Sequence, residues 1–359
     1  MRIALAYNAK PSARPEIQAA RPDMLVEEDD EPPSPSGAED ADLYAEWDDA
    51  ETILALADAL ALRHDVVLVE ARPDFALRVQ AARPDLVFNI AEGFHGASRE
   101  AQVPAILEML GIPYTGSDPL TLGLCLDKAR AKEILSYHGV PNAAFVLVEG
   151  EANLGAASTI PLPVLVKPLF EGSSKGIRDD QLVREACDLE DRVLRVLRRY
   201  DQPALVERFL PGREFTVGVL GNLPDLRVLP PVEIRFDGFP EGSNPIYSWE
   251  AKWVWDRPEA PLTVFDCPAR LTNAEQHAVE EVCRQTARVL RLRDWSRIDL
   301  RMDEHGVPHV IEVNPLPGVL PDPAANSCYP KAARAAGMDY ATMVLAVADA
   351  ACRRLGWTL

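Results

Sequence analysis

The chain has 359 residues, 47% of them hydrophobic, which suits two or three domains in one compact body better than one small core. Its 37 Lys and Arg against 56 Asp and Glu leave a net charge of −19, a field that repels nucleic acid and anionic membrane alike. A small anion is not excluded, because a local pocket of cations can override the global field.

In chain order, "RIALAY" reads as a buried first strand. Residues 27–50, acidic and rich in Pro and Ser, read as a flexible surface insertion. A helix follows in "DAETILALADALAL", with Ile53, Leu56 and Leu60 at helical spacing, then strands "DVVLVE" and "DLVFNI". This alternation predicts a doubly wound α/β unit with a parallel sheet. "REAQVPAILEMLGIPYTGS" predicts a helix closing at Gly111, and the first domain, 1–127, ends soon after. A second unit, 128–210, takes in the helix "DKARAKEILSYHG", strands "AAFVLV" and "PVLVKPL", the loop "FEGSSKG", the helix "EDRVLRVLRRY" and the strand "ALVERFL". The third, 211–359, mixes strands with a long helix from about Asn273 to Leu290, a hairpin, and a final helix after Asp339. The fold class expected is α/β and α+β.

The opening "MRIALAYNAK" lacks the succession of a signal peptide, and no apolar run approaches the roughly 20 residues of a membrane span, so a cytoplasmic protein is expected. Six scattered cysteines without a C-x-x-C pair read as reduced thiols. His305 and His309 flank Gly306 and Pro308 in a turn, which disfavours a zinc site. Only seven of the cations are lysines: Lys10, Lys128, Lys132, Lys167, Lys175, Lys252 and Lys331. A chain that otherwise uses Arg keeps Lys where a compact ammonium is wanted.

Three stretches carry candidate chemistry. In "RIDLRMDEHGVPHVIEVNPLPG" the turn Asp303–Gly306 joins two alternating strands. If Met302 opposes Val307, Arg297 faces Glu312 with Asp299 as its diagonal neighbour. Asp299, Glu312 and Asn314 then offer oxygen ligands to a hard cation such as Mg²⁺, or else form a solvated face with an ion pair. The loop "FEGSSKG" joins a strand bearing Lys167 to an expected return strand at Ile177. Its N–H groups and the Ser173 and Ser174 hydroxyls suit phosphate oxygens, although Gly-Ser loops are also plain turns. The strand ending Glu207-Arg208-Phe209-Leu210, followed by Pro211-Gly212 and Glu214, offers backbone to an adenine edge and an acid to a ribose, or is an ordinary strand and turn.

In this order "LDKARAKEIL", "VLVKPLFEGSSKGI", "VERFLPGREFTVGVLG", "YSWEAKW", "RIDLRMD" and "IEVNPLPG" resemble the ATP-grasp superfamily and, within it, the D-alanine–D-alanine ligases. The resemblance implies a three-domain ATP-grasp fold and an ATP-dependent ligase that forms an amide through an acyl phosphate. It implies ATP contacts at Lys128, Lys167, Glu171, Gly172, Ser173, Ser174, Glu207, Arg208, Phe209, Leu210, Glu214 and Lys252. Mg²⁺ or Mn²⁺ would sit at Asp299, Glu312 and Asn314. Catalytic roles would fall to Arg297, Lys252, Gly318 and Ser174, and amino-acid-like substrates would meet Arg297, Gly318, Ser327 and Trp253. A homodimer acting on small molecules is also implied, while the absence of nucleic acid and membrane as partners is expected from the net charge. Ser327 reads equally as a helix cap.

The chain departs from the family around the amino-acid pockets. "AEGFHGASREAQVP" stands where the family has "HGxxGEDG", no early glutamate matches the one that holds the first substrate's ammonium, Trp253 replaces a common Tyr, and "NPLPG" replaces "NTSPG". A ligase acting on a larger metabolite or peptide is the alternative. A nucleotide-binding regulator without turnover is disfavoured by the joint presence of Lys167, Lys252, Arg297, Asp299, Glu312 and Asn314.

Overall fold

The computed structural model describes residues 1–26, 46–256 and 262–358. Most of the predicted acidic insertion, residues 27–45, lies outside them. The first unit contains β1 (Arg2–Tyr7), α1 (Arg14–Ala20), α2 (Ala50–Ala61), β2 (Asp65–Glu70), α3 (Phe75–Ala82), β3 (Leu86–Asn89) and α4 (Gln102–Leu110). Its three strands run parallel in the order β2-β1-β3. The near-continuous apolar runs of these strands follow from burial on both faces. Ile3 and Leu5 pack on Ile53, Leu56 and Leu60 of α2, while Ala4 and Ala6 face Phe75 and Val79 of α3 and Val103 and Leu107 of α4. The sheet is therefore doubly wound, and α4 closes at Gly111 in the left-handed region as predicted.

Two helices with side-chain caps lead onward: α5 (Pro119–Leu126), whose Asp118 accepts from the Thr121 N–H, and α6 (Lys128–Tyr137), whose Asp127 accepts from the Arg130 N–H. Next come β4 (Phe145–Val148), β5 (Val164–Pro168), β6 (Leu182–Val183), α7 (Ala186–Tyr200) and β7 (Ala204–Arg208), with the antiparallel order β4-β7-β5-β6. The apolar stripe of α7, Leu189, Val193 and Val196, covers Val164, Val166 and Val206. The return strand expected at Ile177 is not there. Ser173 and Ser174 both adopt positive φ, 52° and 60°, the chain turns again, and pairing with β5 resumes only at Leu182. Two residues in the left-handed region cannot continue a hairpin ladder.

The remaining sheet is built from β8 (Glu214–Leu220), β9 (Arg227–Val228), β10 (Val232–Ile234), β11 (Phe265–Asp266), β12 (Trp295–Met302) and β13 (Pro308–Asn314). On it lie α8 (Asn273–Val289), opened by a capping box between Thr272 and Glu275, then α9 (Cys328–Ala335) and α10 (Tyr340–Arg354). The C-terminal helices return to the first unit, where Met343, Val344 and Val347 share a core with Ile53 and Leu56.

The register of the β12–β13 hairpin corrects the sequence expectation. Met302 pairs with Pro308, not Val307, and a bulge leaves Ile311 unpaired between the pairs Leu300–Val310 and Asp299–Glu312. The extra residue shifts the outer half of the ladder. Asp299 therefore lies directly opposite Glu312, and Arg297 opposite Asn314. The four side chains still share one face, since the bulge changes their partners and not their convergence.

Candidate active site

A cavity of about 390 Å³ lies among the three sheets, lined by β5, β7, β12, β13, the glycine loop and the N-terminal segment 46–49. Lys128, Lys132, Lys167 and Glu207 are each at most 4% exposed, so their charges must be answered locally. The Lys132 ammonium lies 2.7 Å and the Lys167 ammonium 3.4 Å from the same Glu207 oxygen. Lys128 spans two elements, 2.9 Å from Glu312 Oε1 and donating to the Glu171 carbonyl at 2.5 Å. Glu207 thus acts here through its carboxylate on two lysines, a use that strand position alone could not show.

On the hairpin face Arg297 clasps Asp299, with Nε 3.0 Å from Oδ1 and the terminal nitrogen 2.9 Å from Oδ2. Thr216 donates to Asp299 Oδ1 at 2.9 Å and Asn314 to Oδ2 at 3.2 Å. Burial opposes charge on Glu312, but Lys128, Lys167 and Arg297 outweigh it and hold its carboxyl below the usual range. For Arg297 burial likewise opposes the charge, and Asp299 more than offsets it. Two carboxylates and an amide oxygen on one face are the donor set of a hard divalent cation that completes its shell with phosphate oxygens and water. No group of three His, Cys, Asp or Glu side chains suited to a metal occurs among the described residues, so a site here depends on Asn314 and on ligand oxygens.

The glycine loop lies between two walls. Ser174 Oγ donates to the Tyr247 carbonyl at 2.9 Å, and Trp253 Nε1 to the Ser173 carbonyl at 3.2 Å. Glu171 accepts from Gln202 at 2.8 Å and pairs with Lys175 at 2.9 Å. Lys252 follows Ser248 in a short π-helical turn, and its ammonium has no ion-pair partner among the described residues. Burial lowers its pKa to about 8, assisted by the charge of Arg297.

In the predicted adenine segment, Arg208 points outward to Glu304, so only its backbone can face the cavity. Arg301 organises the rest: it donates to the Leu210 and Pro245 carbonyls at 2.6 and 2.9 Å, pairs with Glu214 at 2.5 Å and lies 4.4 Å from the Phe209 ring centre. Burial still raises the Glu214 pKa against that arginine. Gly318 leaves open space where a side chain would stand, and its carbonyl accepts from Ser327 Oγ. Ser327 also accepts from the Leu320 N–H, so although it precedes α9 its hydroxyl ties the 318–320 loop and caps no helix.

Sequence reasoning missed Lys132, Thr216 and Arg301, and it missed the acidic wall opposite the hairpin. Glu46, Asp48, Glu92 and Glu100 all line the cavity. Burial pushes Asp48 and Glu100 up to about 7 and Glu92 well above the carboxylate range. Glu92 and Glu100 fall in the segment where the family pattern is replaced.

A family model described as "D-ala D-ala ligase C-terminus" matches residues 133–348. A D-alanine–D-alanine ligase of Chromohalobacter salexigens is 34% identical over 272 residues, covering 76% of this chain and 79% of that protein. The chain belongs to the D-alanine–D-alanine ligase family. An uncharacterized protein, y4sG of Sinorhizobium fredii, is 39% identical over 271 residues, 75% of each chain. The crystal structure of Bacillus anthracis D-alanine–D-alanine ligase complexed with ATP superposes with a TM-score of 0.70 at 21% identity, covering 99% of this chain and 98% of that one. The fold is therefore that of the ATP-grasp ligases, and family membership makes the chain an ATP-dependent, ADP-forming ligase that closes an amide bond.

Proposed function

We propose that the ligase joins the carboxylate of one amino acid or amino-acid-like molecule to the amine of another through an acyl phosphate, with ATP lying between the strand pairs β5–β7 and β12–β13. The observation that carries this is the convergence of Lys128, Lys167, Lys252 and Arg297 on the Asp299–Glu312–Asn314 face within one cavity. In this reading Phe209, Leu210 and the backbone of Arg208 take the adenine, Glu214 the ribose, and Lys128, Lys167, Ser173 and Ser174 the phosphates. Asp299, Glu312 and Asn314 would hold Mg²⁺, which, when bound, supplies charge neutralisation at the phosphate oxygens.

A carboxylate is a poor electrophile, so the γ-phosphoryl is first moved onto it, and the lysines spread around that group lower the cost of its transfer. The amine then attacks the activated carbonyl, and the amide forms as the C–O bond to phosphate breaks, releasing inorganic phosphate and the amine's proton. Arg297 and the Gly318 N–H face the oxyanion that develops, a type of contact contributing about 3 kcal/mol. The glycine loop and Trp253 shield the acyl phosphate from water. Ser327 meets the carboxylate of the acceptor. The molecule is proposed to work in the cytoplasm as a homodimer on small substrates, since its charge of −19 disfavours long polyanions.

A coupled ADP-release assay with Mg²⁺ or Mn²⁺ over pairs of amino acids tests the proposal. Release should require both a carboxylate and an amine, and Glu312→Ala should abolish it. Turnover independent of any pair, or unchanged in Glu312→Ala, overturns the assignment.

A further inference from the structure

The glycine loop is held from a side that the family pattern did not indicate. Arg99 donates to the Phe170 carbonyl at 2.9 Å and to Glu46 Oε2 at 2.7 Å, and Glu46 Oε1 accepts from the Gly172 N–H at 3.0 Å. Together these contacts close a ring around Glu171, whose own carbonyl accepts from Lys128. Three successive loop residues are thus pinned before the chain enters the left-handed turn at Ser173 and Ser174. The pair is nearly enclosed, with side-chain exposures of 12% and 11%. Burial opposes the charge on Arg99, but Glu46 and the neighbouring carboxylates outweigh it and raise its pKa.

Both partners are placed by local structure. Trp47 anchors Glu46 by donating to the Gly93 carbonyl at 3.3 Å and packing edge-on against Phe94, 5.2 Å away. Gly93 has φ of 79°, and a Cβ there would stand 2.1 Å from the Arg99 carbonyl oxygen, so only glycine lets the 93–99 loop fold back and present Arg99. At the other end a Cβ on Gly172 would stand 2.5 Å from Glu46 Oε1. The glycine that frees the loop's backbone for phosphate is also the one that admits the carboxylate.

We propose that Glu46 and Arg99 are a positioning pair that fastens the glycine loop to the N-terminal unit, so that the loop is set for ATP phosphates before nucleotide arrives. The inference rests on the ATP site described above. It adds that the N-terminal unit controls the loop, so loss of the pair frees the loop without disturbing the β8–β12–β13 sheet that carries Arg297 and Asp299.

The test has two readouts. In the nucleotide-free protein, backbone hydrogen exchange across residues 170–176 should accelerate about tenfold or more in Glu46→Ala and in Arg99→Met, with β8 and β12 unchanged. Glu46→Gln, which keeps an acceptor for the Gly172 N–H, should fall between wild type and Glu46→Ala. Calorimetry with Mg²⁺ and adenylyl imidodiphosphate should show affinity falling roughly five- to tenfold in Glu46→Ala and largely restored in Glu46→Gln. Unchanged loop exchange in folded Glu46→Ala or Arg99→Met overturns the latch, and faster exchange with unaltered nucleotide affinity overturns its positioning role. Wild-type protein that takes up no nucleotide while exchange still responds to Glu46 overturns the ATP reading and leaves the latch standing.

Discussion

Lys252 is a residue whose charge state is open to change. With its pKa lowered to about 8 by burial and by Arg297, it is partly neutral at pH 8 in the free protein. A polyphosphate placed beside it restores the charge, so nucleotide binding at pH 8 should take up roughly half a proton. Calorimetry in two buffers of different ionisation enthalpy measures that uptake, and Lys252→Met should remove it; equal apparent enthalpies in wild type would contradict the assignment. Arg301 makes the complementary case. Replacing it with Met leaves Glu214 buried without its cation and frees the Leu210 and Pro245 carbonyls. A loss of about 3–5 kcal/mol in urea unfolding is expected, as when one partner of a buried ion pair is removed.

At the scale of elements, the β12–β13 hairpin shows what could be read in advance and what could not. Alternation placed Arg297, Asp299, Glu312 and Asn314 on one face, and that held because a period of two survives any even shift of register. The bulge at Ile311 did not show, since nothing in "VIEV" distinguishes a bulged isoleucine from a paired one. The turn entering β8 is held to the same hairpin: Gly212 donates to the Met302 carbonyl at 2.9 Å, and a Cβ on Gly212 would sit 2.5 Å from that oxygen. Gly212→Ala should therefore cost about 1–3 kcal/mol and loosen the strand carrying Glu214, measured as faster hydrogen exchange at Met302 and Glu214. The rarity of lysine marked Lys128, Lys167 and Lys252, and Glu207 was singled out from its strand, whereas Lys132 was only counted among the lysines and its pairing with Glu207 was not foreseen. Arg301 was hidden in an Arg-rich background, and its value comes from three acceptors distant in sequence. Glu46 and Arg99 escaped for the same reason: their meeting depends on the turn at Gly93 and on tertiary packing, which a local pattern does not encode.

Over the whole molecule, the N-terminal sheet, the C-terminal helices and the glycine loop meet around one cavity whose walls differ in sign. Cations crowd the side formed by β5, β7, β12 and β13 and carboxylates the N-terminal side, and Asp48 reports how strongly burial acts on the second wall. Burial pushes its pKa from 3.8 up to about 7, with Lys10 opposing and Asp49 adding. The folded protein therefore binds a proton there that the unfolded chain releases near pH 4, so the stability linked to this group is full below that pH and is lost as pH rises through about 7. Asp48→Asn mimics the neutral acid and loses nothing over the same range. The stability of Asp48→Asn relative to wild type should rise by about 3–4 kcal/mol between pH 4 and pH 8, read from urea unfolding at both ends of that window. A difference that stays flat would mean that Asp48 is ionised in the folded protein and that the acidic wall is solvated, which would remove the low-dielectric setting from the N-terminal half of the cavity.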